Sequence, residues 1–297
     1  MNLTQFKQTY IPIITQALDN YLTFNLSDPR SKLESAIKHS TLAPSKRFRP
    51  LLTIATHQLF SVDAKPIIPL ACAFEMVHTY SLIHDDLPAM DNDTLRRGLP
   101  TCHVKYGQDI AILAGDTLQI YAFELLSKTL HEYFQPEQIL KCIQLMSHSF
   151  GILGMSGGQV LDLDTLSSKP NSESYLVHTH KLKTGAMIKA CIETVTMLHN
   201  RPTEEQDTLS QFGAHLGLLF QITDDIIDIT SSAETLGKSS QKDIEQNKLT
   251  YVSLWGLEGA IKKANQEAEA TYHCLDQLPY DTRLLHEFID WVSKRDD

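Results

Sequence analysis

The sequence predicts an all-α protein of roughly ten or more helices. Three observations carry that expectation. Apolar residues recur at three- and four-residue steps in segment after segment. Alternating strand patterns and hairpin dipeptides are nearly absent. The breaks between apolar segments are short and polar: "SVDAKP", "HEYFQP", "SSKPNSES" and "NRPTEE".

The opening stretch, "MNLTQFKQTYIPIITQALDNYL", has the pattern of an amphipathic helix and not of a signal peptide. "RPLLTIATHQLF" follows a basic turn and carries Pro50 near its start, and "PEQILKCIQLMSHSFGILGM" opens on Pro136, as suits first helical turns. "IIPLACAFEMVHTYSLIHDD", "AILAGDTLQIYAFELLSKTL", "GAMIKACIETVTMLHN" and "TLSQFGAHLGLLFQITDDIIDI" complete the helical series. Several are apolar most of the way round, so a central layer buried by other helices is expected. No low-complexity linker or Ser/Gly hinge divides the chain, and residues 1–297 are expected to form a single domain.

Of the 297 residues, 42% are apolar, and 26 basic against 36 acidic residues give a net charge of −10. A nucleic-acid protein would show a basic excess, so a polyanionic polymer is not the expected partner. Cys72, Cys102, Cys142, Cys191 and Cys274 are scattered and odd in number, which argues against a disulfide framework or zinc site. With no continuous run of about 18 apolar residues, no membrane-spanning segment is expected. The expected setting is a soluble, cytoplasmic one.

Charge is concentrated at two places. In "LIHDDLPAMDNDTLRRGLPTCH", Asp85, Asp86, Asp91 and Asp93 precede Arg96 and Arg97. Asp85 and Asp91 are six apart with Pro88 between them, so a helix cannot hold both on one face; the chain must leave the helix and fold Asp91 back toward Asp85. In "QITDDIIDIT", Asp224 and Asp228 are four apart and share a helix face, with Asp225 about 100° away. Their neighbours Phe220, Ile222, Ile226 and Ile227 make a poor solvated face. Carboxylates crowded in apolar surroundings call for a cation. All-oxygen clusters select hard ions, and Mg²⁺ fits best when substrate phosphates complete its shell.

The basic residues suit that phosphate. Arg96 and Arg97 offer bidentate forks. "PSKRFRP" places Lys46, Arg47 and Arg49 at a helix start, where cations and the helix dipole together hold an anion. Lys183, Lys238 and Lys248 form a further group. Two separate basic groups point to two anionic ligands, one bound through metal and one held by Lys and Arg alone. His78 lies seven residues before Asp85 on the same helix face. Gln159 and Asp162 in "GMSGGQVLDL" are candidates to orient Lys183, and Gly157-Gly158 reads as a kink or a close helix approach.

These motifs resemble, in order and over most of the chain, those of the trans-type short-chain isoprenyl diphosphate synthases: "KRFRP", "EMVHTYSLIHDD", "LAGD", "GMSGGQVLDL", "HKLKTGAMI", "LGLLFQITDDIID" and "LGKSSQKDIEQNKLTY". The resemblance implies the isoprenoid-synthase bundle around a central cavity, usually as a homodimer, and the coupling of an allylic diphosphate to isopentenyl diphosphate. It implies Asp85, Asp91 and Asp224 as main magnesium ligands, for three ions, with Asp86 and Asp228 supporting. Arg96, Lys183 and Lys238 would contact the allylic diphosphate; Lys46, Arg49, His78 and Arg97 would hold isopentenyl diphosphate; Lys183, Thr184 and Gln221 would line the place where carbocation character develops. The chain departs from the pattern at Pro44-Ser45, Leu249 and Val252.

The resemblance also implies a floor for the growing tail five residues before the motif, at Tyr80, and hence a C15 product, with a C20 product as the alternative. Helical counting instead brings Ser81 nearly into line with Asp85 and leaves Tyr80 about 140° away. A terpene cyclase would lack the second full acidic motif and the "KRFRP" turn, and a non-catalytic subunit would be expected to have lost aspartates.

Overall fold

The computed structural model describes residues 1–163, 172–230 and 249–295. Lys238 and Lys248 lie outside the described residues. The chain divides into two compact units, Met1–Ile143 and Gln144–Asp297.

The first unit contains α1 (Leu3–Tyr21), α2 (Ser31–Thr41), α3 (Phe48–His57), α4 (Ile68–Asp85), a hairpin of β1 (Leu95–Arg96) and β2 (Leu99–Pro100), α5 (Cys102–Tyr106) and α6 (Gln108–Thr129). Helix α1 starts at a capping box: Asn2 Oδ1 accepts from Gln5 N–H at 2.9 Å and Gln5 Oε1 accepts from Asn2 N–H at 3.2 Å. Helix α4 forms the centre, packed by α6, α3, α1 and α2. Leu70, Phe74, Met76 and Val77 have no exposed surface, and each such large side chain stabilises by about 1.5–3 kcal/mol. The whole length of α3 is buried as well.

Two features stand beside these expectations. The hairpin was not foreseen; its two-residue turn is Arg97-Gly98, with φ of 53° and 75°. Positive φ at both central positions gives the turn that matches strand twist, and Asn-Gly is the usual signal for it. Moreover, residues Lys65–Asp85 and Gln108–Glu132 are each long and apolar enough, by composition, to cross a membrane. Burial accounts for the first, 78% of which is inside the fold, whereas the second is only 39% buried.

Helix α7 (Pro136–Phe150) leads into the second unit, which holds α8 (Met155–Leu163), α9 (Glu173–His180), a π-turn at Lys181–Gly185, α10 (Ala186–Leu198), α11 (Thr203–Thr230), α12 (Tyr251–Asp276) and α13 (Arg283–Ser293). Helix α11 is its axis, packed by α12, α10, α13 and the π-turn. Leu176, Leu218, Ile222, Tyr251 and Ala260 form a buried cluster, and Leu249 and Val252 pack against it. These two departures from the family pattern thus extend an apolar contact. Asp225 Oδ2 accepts the Tyr251 N–H at 2.8 Å and so helps to cap α12. The central aspartate pair therefore divides its work: Asp224 is half-exposed, while Asp225 is buried and structural.

Candidate active site: acidic clusters and their cations

In the first unit α4 ends at Asp85. The next residues curl back, with Met90 N–H donating to Leu87 O at 2.8 Å and Asp91 N–H to Asp85 O at 2.8 Å. The expected return of Asp91 to Asp85 is thus present as a backbone bond. Asp86 is buried, and its carboxylate accepts two bonds from Arg96 Nε, at 2.8 and 3.0 Å, and one from Nη2 at 2.5 Å. Burial raises the Asp86 pKa, against the pull of Arg96. Arg96 also lies 3.8 Å from Asp93. The hairpin is tied to the same loop by Thr101, whose hydroxyl donates to Asp93 O at 2.7 Å.

The basic turn before α3 is built on a buried ion pair. Arg47 Nη1 lies 2.5 Å from Glu75 Oε1, and both side chains are only 2% exposed. Ser45, one of the departures from the family pattern, adds a bond to the same Glu75 oxygen at 3.3 Å. Arg47 has φ 51°. Of the five non-glycine residues with positive φ among those described, Arg47, Asn92 and Arg97 lie in these charged turns. Such backbone costs about 1–3 kcal/mol per residue and persists where its surroundings hold it.

His78 retains some exposed area but sits deep beside this turn. Burial, and then the positive charges of Arg49, Arg97, Arg96 and Arg47, hold its pKa well below the usual histidine value. The imidazole is therefore neutral at neutral pH, and four guanidiniums act on one point. Arg49 is buried; Lys46 is more open.

Tyr80 is 6% exposed, and its ring meets His84 edge-on at 5.9 Å. His84 sits against Gly115 of the "LAGD" motif: a Cβ there would lie 2.1 Å from His84 Nε2. Ser81 directs its hydroxyl to His78 O at 2.9 Å, within its own helix.

In the second unit, Lys183 lies in the π-turn and pairs with Asp162 on α8 at 2.5 Å. Thr184 Oγ1 donates to Gln221 Oε1 at 2.8 Å, which brings two of the expected residues into contact. Glycines bring the turn close to its neighbours. A Cβ on Gly158 would stand 2.2 Å from Lys183 N, and one on Gly217 would stand 2.8 Å from Gly185 Cα. Close helix approach is thus the role of Gly158. The π-turn interrupts the regular helical ladder, a feature frequent at functional sites.

Asp224 and Asp228 lie one turn apart on α11. Asp224 Oδ1 is 2.5 Å from Arg295 Nη2. Sequence reasoning missed this arginine, Glu75 and His84. Glu75 did leave a signal, as the lone acid within "IIPLACAFEMV"; Arg295, in a charged C-terminal stretch, left none.

Among the described residues no three His, Cys, Asp or Glu side chains converge as a complete metal cage. The donors instead come in small all-oxygen groups. Mg²⁺ is usually held through one or two carboxylates, with phosphate and water oxygens completing its shell, so these residues fit it.

An all-α chain with two separated acidic clusters, each flanked by phosphate-suited cations, defines a class of diphosphate-handling proteins. The polyprenyl synthetase family model matches residues 30–286, and the chain belongs to that family. It is 42% identical over 245 residues to a geranylgeranyl diphosphate synthase of Cyanophora paradoxa, covering 82% of this chain and 81% of that protein. It is 38% identical over 296 residues to the farnesyl diphosphate synthase of Geobacillus stearothermophilus, covering 100% and 99%. Among solved structures, a geranyltransferase from Legionella pneumophila superposes with a TM-score of 0.85 at 32% identity, covering 99% of each chain.

Proposed function

We propose that the chain is a prenyltransferase that condenses isopentenyl diphosphate with dimethylallyl and then geranyl diphosphate, giving (2E,6E)-farnesyl diphosphate and pyrophosphate. The observation that carries this reading is the Asp85–Asp91 fold-back beside the Asp86–Arg96 pair. It presents carboxylates for a metal-bound diphosphate next to an arginine held in place for the same ligand. Relatives named farnesyl diphosphate synthase match over nearly the whole chain, from Geobacillus stearothermophilus and Escherichia coli among others. The family match spans residues 30–286 and runs through residue 143 without interruption, which supports treating 1–297 as one catalytic domain.

Asp85, Asp91 and Asp224 would hold magnesium, with Asp228 supporting. When bound, the metal would supply positive charge to the diphosphate as it leaves. Asp86, expected as a supporting metal ligand, accepts the Arg96 guanidinium and would hold it toward the diphosphate. Asp162 likewise holds Lys183. Lys46, Arg49 and Arg97 would grip isopentenyl diphosphate, and neutral His78 would accept or donate a hydrogen bond without adding charge. Thr184 and Gln221 fix one another, so the remaining lone pair of the Gln221 oxygen can face a developing allylic cation as a preorganised dipole. The double bond of isopentenyl diphosphate then attacks, and released pyrophosphate is the base that takes the proton. Lys238 is assigned to the allylic diphosphate on sequence alone.

The exposed side chains of Ile112, Leu113 and Ile120 on α6 suit burial against a second copy, and we assign the homodimer interface there. A geranylgeranyl product is the second reading, favoured by the 42% identity to the Cyanophora paradoxa enzyme; buried Tyr80 favours the shorter product. Chromatography of the products from dimethylallyl and isopentenyl diphosphates decides. A farnesyl product is expected, and a C20 product as the main species would replace the C15 assignment.

A further inference from the structure

Arg295 follows α13 and reaches α11. Its Nη2 lies 2.5 Å from Asp224 Oδ1 and donates to Phe220 O at 2.5 Å. The guanidinium carbon stands 3.7 Å from the centre of the Phe220 ring. Phe220 and Asp224 are one helical turn apart, so a single guanidinium bridges the turn and takes three kinds of contact from it. The arginine side chain is 9% exposed, against 42% for Asp224. An incidental surface pair would leave both partners wet and the arginine stem free. Here the cation is seated on an aromatic face and against a carbonyl, while its carboxylate partner is the more exposed of the two.

Asp224 is one of the carboxylates read above as a magnesium ligand, and the inference rests on that reading. A guanidinium on Oδ1 occupies lone pairs that a metal would use, and its charge repels a cation arriving at the other oxygen. We propose that Arg295 is a tethered cation that competes with magnesium for Asp224, lowering the affinity of this acidic cluster for metal alone. Coupling of this kind is reciprocal: whatever Arg295 costs the metal, the metal costs Arg295. Metal binding at Asp224 therefore loosens the C-terminal end of α13.

The test uses the full chain after chelator treatment, with Mn²⁺ as probe and free Mn²⁺ read by electron paramagnetic resonance, alone and with inorganic pyrophosphate. Arg295→Ala is expected to tighten Mn²⁺ binding about fivefold or more. Arg295→Gln, which keeps a polar stem near Phe220, should do the same and guards against a packing defect at α13. In the wild-type chain, Mn²⁺ should speed amide exchange at Lys294 and Arg295. If Asp224→Ala weakens Mn²⁺ binding while both Arg295 variants leave it unchanged, the competition is overturned and the metal site stands. If Asp224→Ala has no effect, the metal role of Asp224 falls and the proposal with it. If the Arg295 variants instead weaken binding only with pyrophosphate present, Arg295 is an anion-holding residue and the competition is again overturned.

Discussion

Glu75→Gln is the most informative single change in the basic turn. The Arg47–Glu75 pair is 2.5 Å long with both side chains 2% exposed, so the glutamine would leave a guanidinium buried without its counter-charge. Loss of one partner from such a pair costs about 3–5 kcal/mol. At about 2 °C per kcal/mol for a chain of this size, the melting midpoint should fall by about 6–10 °C. The second consequence is functional. Arg47 holds a left-handed backbone at φ 51° between Lys46 and Phe48-Arg49, and the ion pair is what pins it. Released, the turn should present Lys46 and Arg49 poorly, raising KM for isopentenyl diphosphate several-fold more than KM for geranyl diphosphate. Replacing both partners with methionine should recover most of the melting point, since apolar replacement of a buried pair is often neutral, but not the lower KM. Calorimetry and steady-state kinetics with each substrate varied in turn check both halves. A midpoint within 2 °C of wild type, or equal KM changes for the two substrates, would refute the reasoning.

Asp85→Ala should lower kcat by orders of magnitude while preserving the helical circular dichroism signal and leaving thermal stability unchanged or raised, because it removes a charge from a repulsive cluster; full activity in the variant or in EDTA would sink the metal reading. Tyr80→Ala should lengthen the products to C20 or beyond with metal dependence unchanged, read by chromatography; retention of farnesyl diphosphate alone would move the floor to another residue. His78 should confer acid sensitivity. Its folded pKa lies well below the ordinary value, so below about pH 6.5 the unfolded chain binds the extra proton and stability falls as pH drops. In His78→Gln that contribution is gone, and the melting point should decline less between pH 7 and pH 5; parallel declines would show that His78 does not titrate this way.

The helices were legible because apolar periodicity is a direct record of which face each one buries. A buried central layer could be read, since a helix that is apolar all round has nowhere else to go, though not which helix forms it. The return of Asp91 could be read from Pro88 and a six-residue spacing. The hairpin could not, because Arg97 takes a left-handed conformation that its side chain does not advertise; the following glycine gives only half the signal. Nor was the π-turn at Lys181–Gly185 legible. "HKLKTG" fits a regular helix as well, and the irregularity depends on Gly158 and Gly217 admitting close neighbours from distant parts of the sequence. The division after Ile143 has no marker in composition, since uninterrupted helix passes through it.

Ion pairing links the acidic composition to an anionic substrate. A net charge of −10 would repel diphosphates if carboxylates and cations were scattered at random. Instead, candidate cations in each unit are held by acids: Arg47 by Glu75 and Arg96 by Asp86 in the first, Lys183 by Asp162 and Arg295 by Asp224 in the second. Each acid fixes the direction of a long side chain that would otherwise lose about 2 kcal/mol of rotamer freedom on binding, and part of that ordering is then complete before substrate arrives. The pairs differ in how far the cation remains available. Arg47 is sealed and serves the turn, whereas Arg96 and Lys183 keep 33% and 28% of their side chains exposed and can turn a free N–H toward phosphate. Burial of the pair therefore separates the structural cation from those proposed to face substrate, a distinction that "KRFRP" and "LRRG" cannot display as strings of like charges.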